Sequence, residues 1–526
     1  MSSSASERGS FLVGLLISAL FLIGILLRAP GFFQETGAFT FCDENMFLKE
    51  ALRMYLERDP VPSLYHSGAL NFYLPIISAH LAELMLGGDL TGEQFRIAAR
   101  FLSAGILSSL SAAFIFLAAN SLFKKQSVAI FCSLLMLFSP FVLANSRYHY
   151  PDHYIVFFIC LSLWCCAKLM EKDADRKSMF FWYGMAGLTA ALAASVKYTG
   201  ALLCVQIFLA WVLSHWRRPQ DVNDLARQIQ PLAIAAISAV VGFMILNPGM
   251  FLHTDAFLNG LAVSHYSRSE TPWHGWFYLA KILIFMPFGV LAAPISVVGL
   301  ISLSRVSREM VVFLIFLPLT IMFWLGSYEQ LLPRNVVIAL PSMTLLAGYG
   351  FYVVGTWLRS QQESDVNLSQ VFLLLGLILL IEPVTKSVFS LKRDFDPDAR
   401  LMARSWSQLL MSEEYPTVFS HFGCDYDYLV PPNPISNDRT CPDYVVLDTW
   451  FGGVDSLGQQ KQFPTSLVDI LSELDQKRLH YKDHTEMWFG LGQPADVLSE
   501  YDIAYRFEGF GPDVLVFERK VPCSTD

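Results

Sequence analysis

Charge is what this sequence has least of. Only 16% of its 526 residues are Asp, Glu, Lys or Arg, against roughly a quarter in an ordinary soluble domain, and a freely soluble globule is excluded. It also lacks any block of like charge and any Gly-, Pro- or Ser-rich tract, which excludes a nucleic-acid-binding arm and a long disordered segment. What fills the chain instead is apolar: 54% hydrophobic residues, with 42 Phe and 11 Trp, and a mean hydropathy of +0.43. These values imply an integral membrane protein. The net charge of −9 is unevenly spread, because residues 392–526 hold 23 of the 46 Asp/Glu but only 12 of the 37 Lys/Arg, a local balance of −11. The last quarter is therefore predicted to be a water-exposed domain on a nearly neutral membrane body.

Cysteine is sparse and says less. Cys132, Cys160, Cys165, Cys166 and Cys204 lie inside apolar runs, where a thiol behaves as a small hydrophobe. Cys42, Cys424, Cys441 and Cys523 lie in polar segments, and a Cys424 to Cys441 bridge stays open. The first apolar run, Phe11 to Leu27, follows Arg8, has no convincing small-residue cleavage site and is expected to be a retained span.

Runs long enough to cross a bilayer, roughly 17 to 25 residues each, occur near 11–28, 98–120, 127–146, 153–170, 178–196, 198–216, 229–247, 276–304, 310–327, 335–358 and 370–391. The sequence thus predicts eleven spans, with Lys197-Tyr198-Thr199-Gly200 as a tight turn between two of them. A twelfth segment, Leu70 to Leu86, is weaker because it contains Pro75, His80 and Glu83. Loop charge decides against its crossing. Without it, loops 121–126, 168–178, 215–228, 303–309 and 359–369 are all cytoplasmic, and with residues 1–10 they carry 13 Lys/Arg against 9 Asp/Glu. The acidic tail then falls outside, and 44–86 becomes a long outer loop of amphipathic helices in or at the interface.

This topology collects scarce polar residues at one membrane surface. The first outer loop opens with Phe41-Cys42-Asp43-Glu44-Asn45. The second is Arg147-Tyr148-His149-Tyr150-Pro151-Asp152-His153, and the third is the Lys197 turn. The fourth, Pro248 to Gly275, carries His253, Asp255, His265, Arg268, Glu270 and His274, and Arg334 opens the tenth span. Carboxylates facing basic residues at a membrane surface suit transfer of a sugar from a lipid phosphate to a hydroxyl. An Asp takes the acceptor proton as an oxocarbenium-like transition state forms, and Lys or Arg stabilises the departing phosphate. Lys197, Arg268 and Arg334 are candidates for that phosphate role; Arg147, His149 and His265 are candidate substrate contacts. Plainer readings stay open. Asp152 behind Pro151 would also cap a helix, Lys197 would also snorkel, and His149 and His153, four apart around Asp152, have metal-ligand spacing but equally suit interfacial hydrogen bonding.

Taken together, the Asp43-Glu44 pair after the first span, Asp152 after FSPFVLANSRYHYPD, the Lys-x-Thr-Gly turn and the Arg of LLPRNVVIALPSMTLLAGYG resemble the polyprenyl-phosphate-sugar glycosyltransferases of the C-type membrane fold. The match is to the family-39 type, with the dolichyl-phosphate-mannose protein mannosyltransferases and bacterial aminoarabinose lipid A transferases as relatives. GEQFRIAARFLSA, with Arg96 and Arg100, is similar to the family's Arg-containing entry to the second span. The resemblance covers roughly residues 11–391. It implies Asp43 as catalytic base, Glu44 as a neighbour orienting the acceptor, Asp152 as a second acidic site residue, and Lys197 and Arg334 as contacts to the lipid phosphate, in an inverting single displacement that needs no cofactor. The chain departs from the family where many relatives have Pro-Pro-Leu-Tyr: here the outer loop reads Ser67-Gly68-Ala69-Leu70-Asn71-Phe72-Tyr73. The two His beside Asp152 leave a divalent metal open.

The expected architecture is thus mainly α: a polytopic membrane domain of about eleven helices over 1–391, and a small extracytoplasmic α/β domain over 392–526. In the tail, 397–413 and Thr465 to Arg478 read as helices, while Thr417 to His421, Tyr444 to Leu447 and Val514 to Phe517 read as buried strands. Nothing in it resembles a phosphate loop or nucleophile elbow, so a lid or acceptor-docking role is expected. Glu382 and Lys386, four apart in the last span, are expected to pair. The function implied is sugar transfer from a polyprenyl-phosphate carrier to a protein, glycolipid or polysaccharide hydroxyl at the outer face of the cell membrane, with membrane lipid as surroundings and no nucleic acid. The rival reading is a multi-pass transporter or flippase, against which stands the absence of an evident inverted repeat.

Overall fold

The structure is a computed structural model, and it describes residues 3–33, 42–65, 67–146, 148–171, 176–215, 222–263, 272–285, 288–327, 333–361 and 367–393, together with four tail segments, 418–421, 444–448, 501–507 and 514–519. Two units separate: 1–33 with 44–391, and 34–43 with 392–526.

In the first unit, α1 (Ser3–Phe32) precedes α2 (Cys42–Glu57) and α3 (Leu70–Leu86). Next come α4 (Gly92–Arg100), a π-helical stretch (Phe101–Leu107) and α5 (Ser108–Phe123), which run on as one continuous helix. A capping box starts it: Gln94 N–H donates to Thr91 Oγ1 at 3.3 Å while Thr91 N–H donates to the Gln94 side chain at 2.9 Å. Then follow α6 (Gln126–Leu137), α7 (Pro140–Asn145), α8 (Pro151–Leu169), α9 (Arg176–Val196) and α10 (Leu202–His215). After α11 (Val222–Leu246), α12 (Gly249–Leu252) and α13 (Thr254–Val263) are short, and α14 (Pro272–Phe285), α15 (Gly289–Val306), α16 (Arg308–Leu325), α17 (Leu340–Ser360) and α18 (Leu368–Arg393) complete the unit.

Among the described residues, nine helices are long and apolar enough to cross a membrane. Two expected spans are shorter than predicted. The run 127–146 breaks into α6 and α7 because Ser139 ends one helix and caps the next, its hydroxyl accepting the Val142 N–H at 3.4 Å with Pro140 at the first helical position. The run 198–216 opens with a 3₁₀ turn, Tyr198–Ala201, before α10. The expected single span 276–304 is two helices, α14 and α15. Gly289 begins the second at φ +78°, and a Cβ there would meet the Glu382 carboxyl carbon at 2.3 Å. That carboxylate accepts the Val290 and Leu291 N–H groups at 2.7 and 3.2 Å, satisfying two of the orphan donors of α15. Lys386 Nζ donates to Glu382 at 2.6 Å, the expected pair.

Burial orders the bundle. The apolar window of α8 is 83% buried and that of the α17 segment 78%, whereas those of α1, α11 and α18 are 17%, 11% and 17% buried. Helix α8 is therefore the central post, with Tyr154, Ile155, Ile159 and Leu163 packed among Phe116, Ala190 and Leu345, and the three outer helices show apolar side chains on most faces, as lipid contact requires. Where helices touch most closely they do so through small residues: a Cβ on Gly299 would fall 2.0 Å from the Leu346 carbonyl oxygen, and one on Gly350 1.9 Å from that of Ile295.

The described tail residues form a four-stranded sheet of order β1-β2-β4-β3, from β1 (Val418–His421), β2 (Tyr444–Asp448), β3 (Tyr501–Phe507) and β4 (Val514–Arg519). The first pair is parallel and the other two antiparallel. Strand β3 was not among the expected ones. The expected helices 397–413 and 465–478, and Cys424 and Cys441, lie outside the described residues.

Candidate active site

Asp152 sits in the first turn of α8, behind extended Tyr150 (φ −141°) and Pro151. Its carboxylate is not spent on capping that helix. Oδ1 takes the Lys197 ammonium at 2.5 Å, and Oδ2, buried and without a hydrogen-bond donor, faces Arg334 Nε at 3.9 Å. Asp152 is 1% exposed, while the Lys197 and Arg334 side chains keep 25% and 21% of their surface. The acid is enclosed and the two cations remain reachable. Lys197 also donates to Asn335 Oδ1 at 2.7 Å, and the Arg334 guanidinium lies over the Tyr150 ring at 4.8 Å. Lys197 and Arg334 thus meet Asp152 where the ends of α8, α9 and the 3₁₀ stretch Pro333–Ala339 come together.

Lys197 reaches this point because α9 stops one residue before it. Lys197 is extended (φ −144°, ψ 130°), and the 3₁₀ turn after it closes with Gly200 N–H donating to the Lys197 carbonyl at 2.7 Å. A Cβ on Gly200 would sit 2.3 Å from the Ala193 carbonyl carbon, so the turn admits only glycine at that approach. The tight turn expected at Lys197-Tyr198-Thr199-Gly200 is thus present.

A second polar group is built on Glu44 and Arg100. Glu44, 3% exposed in the first turn of α2, makes a bidentate pair with Arg100, Nε to Oε1 at 2.8 Å and Nη2 to Oε2 at 2.7 Å. Arg100 also donates to the Gly31 carbonyl at 3.0 Å and lies over the Tyr148 ring, and Glu44 Oε1 accepts the His149 backbone N–H at 2.7 Å. Both Glu44 oxygens are engaged, so an acceptor-orienting role is not what this geometry serves; Glu44 ties α1, α2, α4 and the loop before α8 together. Asp43 precedes it on the same helical turn, and its side chain lies outside the described residues.

His149 also differs from its expected role. It is fully buried, with Nε2 facing the Asn71 carbonyl at 2.8 Å and Nδ1 3.1 Å from Ser103 Oγ, so it is inaccessible to a substrate. Since a carbonyl only accepts, Nε2 holds the proton. With Nε2 so directed, His149, Asp152 and His153 do not converge, and among the described residues no group of three His, Cys, Asp or Glu is arranged to hold a metal. Arg147, His265 and Arg268 lie outside the described residues. Asn335 and Asn71 were missed by sequence reasoning; each is an amide in an apolar stretch, which is the only signal they give.

Burial pushes the His149 imidazole down to about 4. Its unfolded value is about 6.5, so between these limits the unfolded chain binds the extra proton. Stability is full above pH 6.5 and falls as pH drops towards 4, by on the order of 3 kcal/mol from this group. Thermal melting in detergent across that range is expected to show a smaller loss for His149→Gln than for the unaltered protein.

Comparison with known proteins bears on this arrangement. Residues 84–297 match the family model described as dolichyl-phosphate-mannose-protein mannosyltransferase. ArnT from Cupriavidus metallidurans in the apo state superposes with a TM-score of 0.57 at 12% identity, over 97% of this chain and 98% of that one. The chain has an ArnT-like fold. The same ArnT bound to undecaprenyl phosphate superposes with a TM-score of 0.53 at 12% identity, over 96% and 98% of the two chains. The resemblance read from the sequence is borne out by both comparisons, and the chain is a multi-pass membrane protein.

Proposed function

We propose that this glycosyltransferase moves a sugar from a polyprenyl-phosphate carrier to a hydroxyl of a protein, glycolipid or polysaccharide on the extracytoplasmic face of the membrane. The observation that carries the reading is the Asp152–Lys197–Arg334 cluster, where one enclosed carboxylate faces two cations that keep about a quarter and a fifth of their side-chain surface. The mannosyltransferase match and a fold shared with a protein seen with undecaprenyl phosphate support it.

In the proposed displacement the acceptor oxygen attacks the anomeric carbon, and the bond from that carbon to the phosphate oxygen breaks with inversion. The electron pair leaves with the phosphate, whose growing charge meets Lys197 and Arg334 already oriented by Asp152 and Asn335, so little reorganisation is needed. The acceptor proton goes to Asp43. Asp152 keeps the cations at a fixed spacing and moderates their charge, so the lipid phosphate is held for reaction and can still depart. Positive loop charge supports the extracytoplasmic placement. No observation favours the transporter.

The test is to incubate purified protein in lipid vesicles with polyprenyl-phosphate-linked hexose, pentose and amino-sugar donors and to analyse the products by mass spectrometry. Sugar loss from one donor class, with free polyprenyl phosphate formed in equal amount, is the expected result. Intact donors throughout, with solute accumulating inside the vesicles, would overturn the reading.

A further inference from the structure

The loop that departs from the family pattern, Ser67 to Tyr73, is not a free acceptor loop. It is folded into the bundle at Asn71, which is wholly buried. Asn71 Nδ2 lies 2.6 Å from the Val196 carbonyl oxygen, 2.6 Å from Ser67 Oγ and 2.9 Å from the Gly68 carbonyl oxygen. Its Oδ1 accepts the Tyr154 hydroxyl, and its backbone carbonyl accepts His149 Nε2–H. The Val196 and Gly68 carbonyls, which only accept, fix which side of the amide is nitrogen.

Three of these partners, Val196, His149 and Tyr154, lie within three residues of a member of the cationic cluster. Val196 is the last residue of α9 and precedes Lys197; His149 is three residues before Asp152 and Tyr154 two after it. The Val196 carbonyl is one of the groups that a helix C-terminus leaves without an intrahelical partner. Here it accepts from Asn71 Nδ2 at 2.6 Å, from Ser67 Oγ at 2.9 Å and from Gly68 N–H at 3.3 Å. Gly68 must be glycine for this docking, since a Cβ would stand 2.0 Å from the Ser195 carbonyl oxygen. Asn247 supports the same contact, accepting Ala69 N–H at 3.0 Å and donating to Ser195 Oγ at 2.8 Å.

We infer that Asn71 is a positioning residue for the phosphate site: by gripping the end of α9 and both flanks of Asp152, it sets the point from which Lys197 leaves the helix and so the Lys197–Asp152 spacing. The inference deepens the proposed function and rests on it for the identity of the anion. Ordinary core packing would predict that loss of Asn71 weakens the whole bundle. A positioning role predicts a defect concentrated in the Lys197 turn and in phosphate binding.

The variant that separates these is Asn71→Asp, which keeps an oxygen for Tyr154 but turns the donor facing Val196 into an acceptor. Two measurements apply: equilibrium binding of undecaprenyl phosphate to purified protein, and amide hydrogen exchange compared between residues 197–201 and the core of α5 and α6. The expected result is binding weakened by roughly tenfold or more, about 1.4 kcal/mol, with faster exchange at 197–201 and no change in the core. Where Asn71→Asp does not fold, Ser67→Ala removes one donor to the same carbonyl and is expected to give a smaller loss of binding, with Ser67→Thr restoring it. Unaltered binding and exchange, or faster exchange everywhere alike, would overturn the inference. If the unaltered protein does not bind undecaprenyl phosphate, the donor reading fails, and exchange at 197–201 alone decides the positioning role.

Discussion

Asp43→Asn protein is expected to lose sugar transfer by roughly 10²- to 10⁴-fold, the range of a general base, while still binding undecaprenyl phosphate as the unaltered protein does. Asparagine keeps the size and hydrogen-bonding shape of the side chain but takes no proton. Both oxygens of Glu44 are occupied by Arg100 and one also by the His149 amide, so of the Asp-Glu pair only Asp43 is left to serve the acceptor. Glu44→Gln should accordingly lower stability more than it alters the dependence of rate on donor concentration. Single-turnover transfer measured alongside donor binding separates the two effects. An Asp43→Asn protein with an undiminished rate would place the base elsewhere.

Arg100→Ala is expected to destabilise the membrane domain by about 3–5 kcal/mol, the cost of leaving a buried carboxylate without its partner. Arg100 is 1% exposed and Glu44 3%, and the pair is bidentate, so water does not make good the loss. Its position adds to the effect. The guanidinium also holds the Gly31 carbonyl at the end of α1, just where the π-helical stretch begins and where Gly105 lets the Phe32 ring approach. Replacing both partners, as Glu44→Gln with Arg100→Met, removes the orphaned charge and is expected to recover a substantial part of the stability. Thermal melting of the three proteins in one detergent checks this, and an Arg100→Ala protein that melts with the unaltered one would show that the pair contributes nothing.

Much of this architecture was legible in the residues, and the limits are physical. The long runs that became α5, α8, α9 and α17 are apolar on all faces, which only lipid or a membrane-protein core accommodates, and Lys197-Tyr198-Thr199-Gly200 broke the pattern at its turn. Helix breaks within apolar sequence were harder to see. The boundary at Ser139 is a cap followed by proline, and that at Gly289 depends on a Glu382 carboxylate 93 positions away. Strand β3 alternates Tyr501, Ile503, Tyr505 and Phe507 with Asp502, Ala504 and Arg506, so a reading that looks for unbroken apolar runs passes over it. In the site, topology gathered Asp152, Lys197 and Arg334 with other charged residues on one surface, because charge at a span end is restricted to a few positions, and the family resemblance singled out these three among them. Their mutual contacts, and the roles of Asn71, Asn335 and His149, followed from neither. Those depend on pairings across many tens of residues, such as Asn71 with Val196 and Glu44 with Arg100, which neither periodicity nor composition encodes.

In the proposed function Lys197, held by Asp152, receives the lipid phosphate. The most direct test is titration of purified protein with undecaprenyl phosphate, followed by ³¹P NMR, for the unaltered chain and for Lys197→Met. Saturable binding that weakens by roughly 10- to 100-fold on substitution is expected, since a hydrogen bond to a charged group contributes about 1.5–3 kcal/mol. Equal affinity in the two proteins would contradict that role of Lys197.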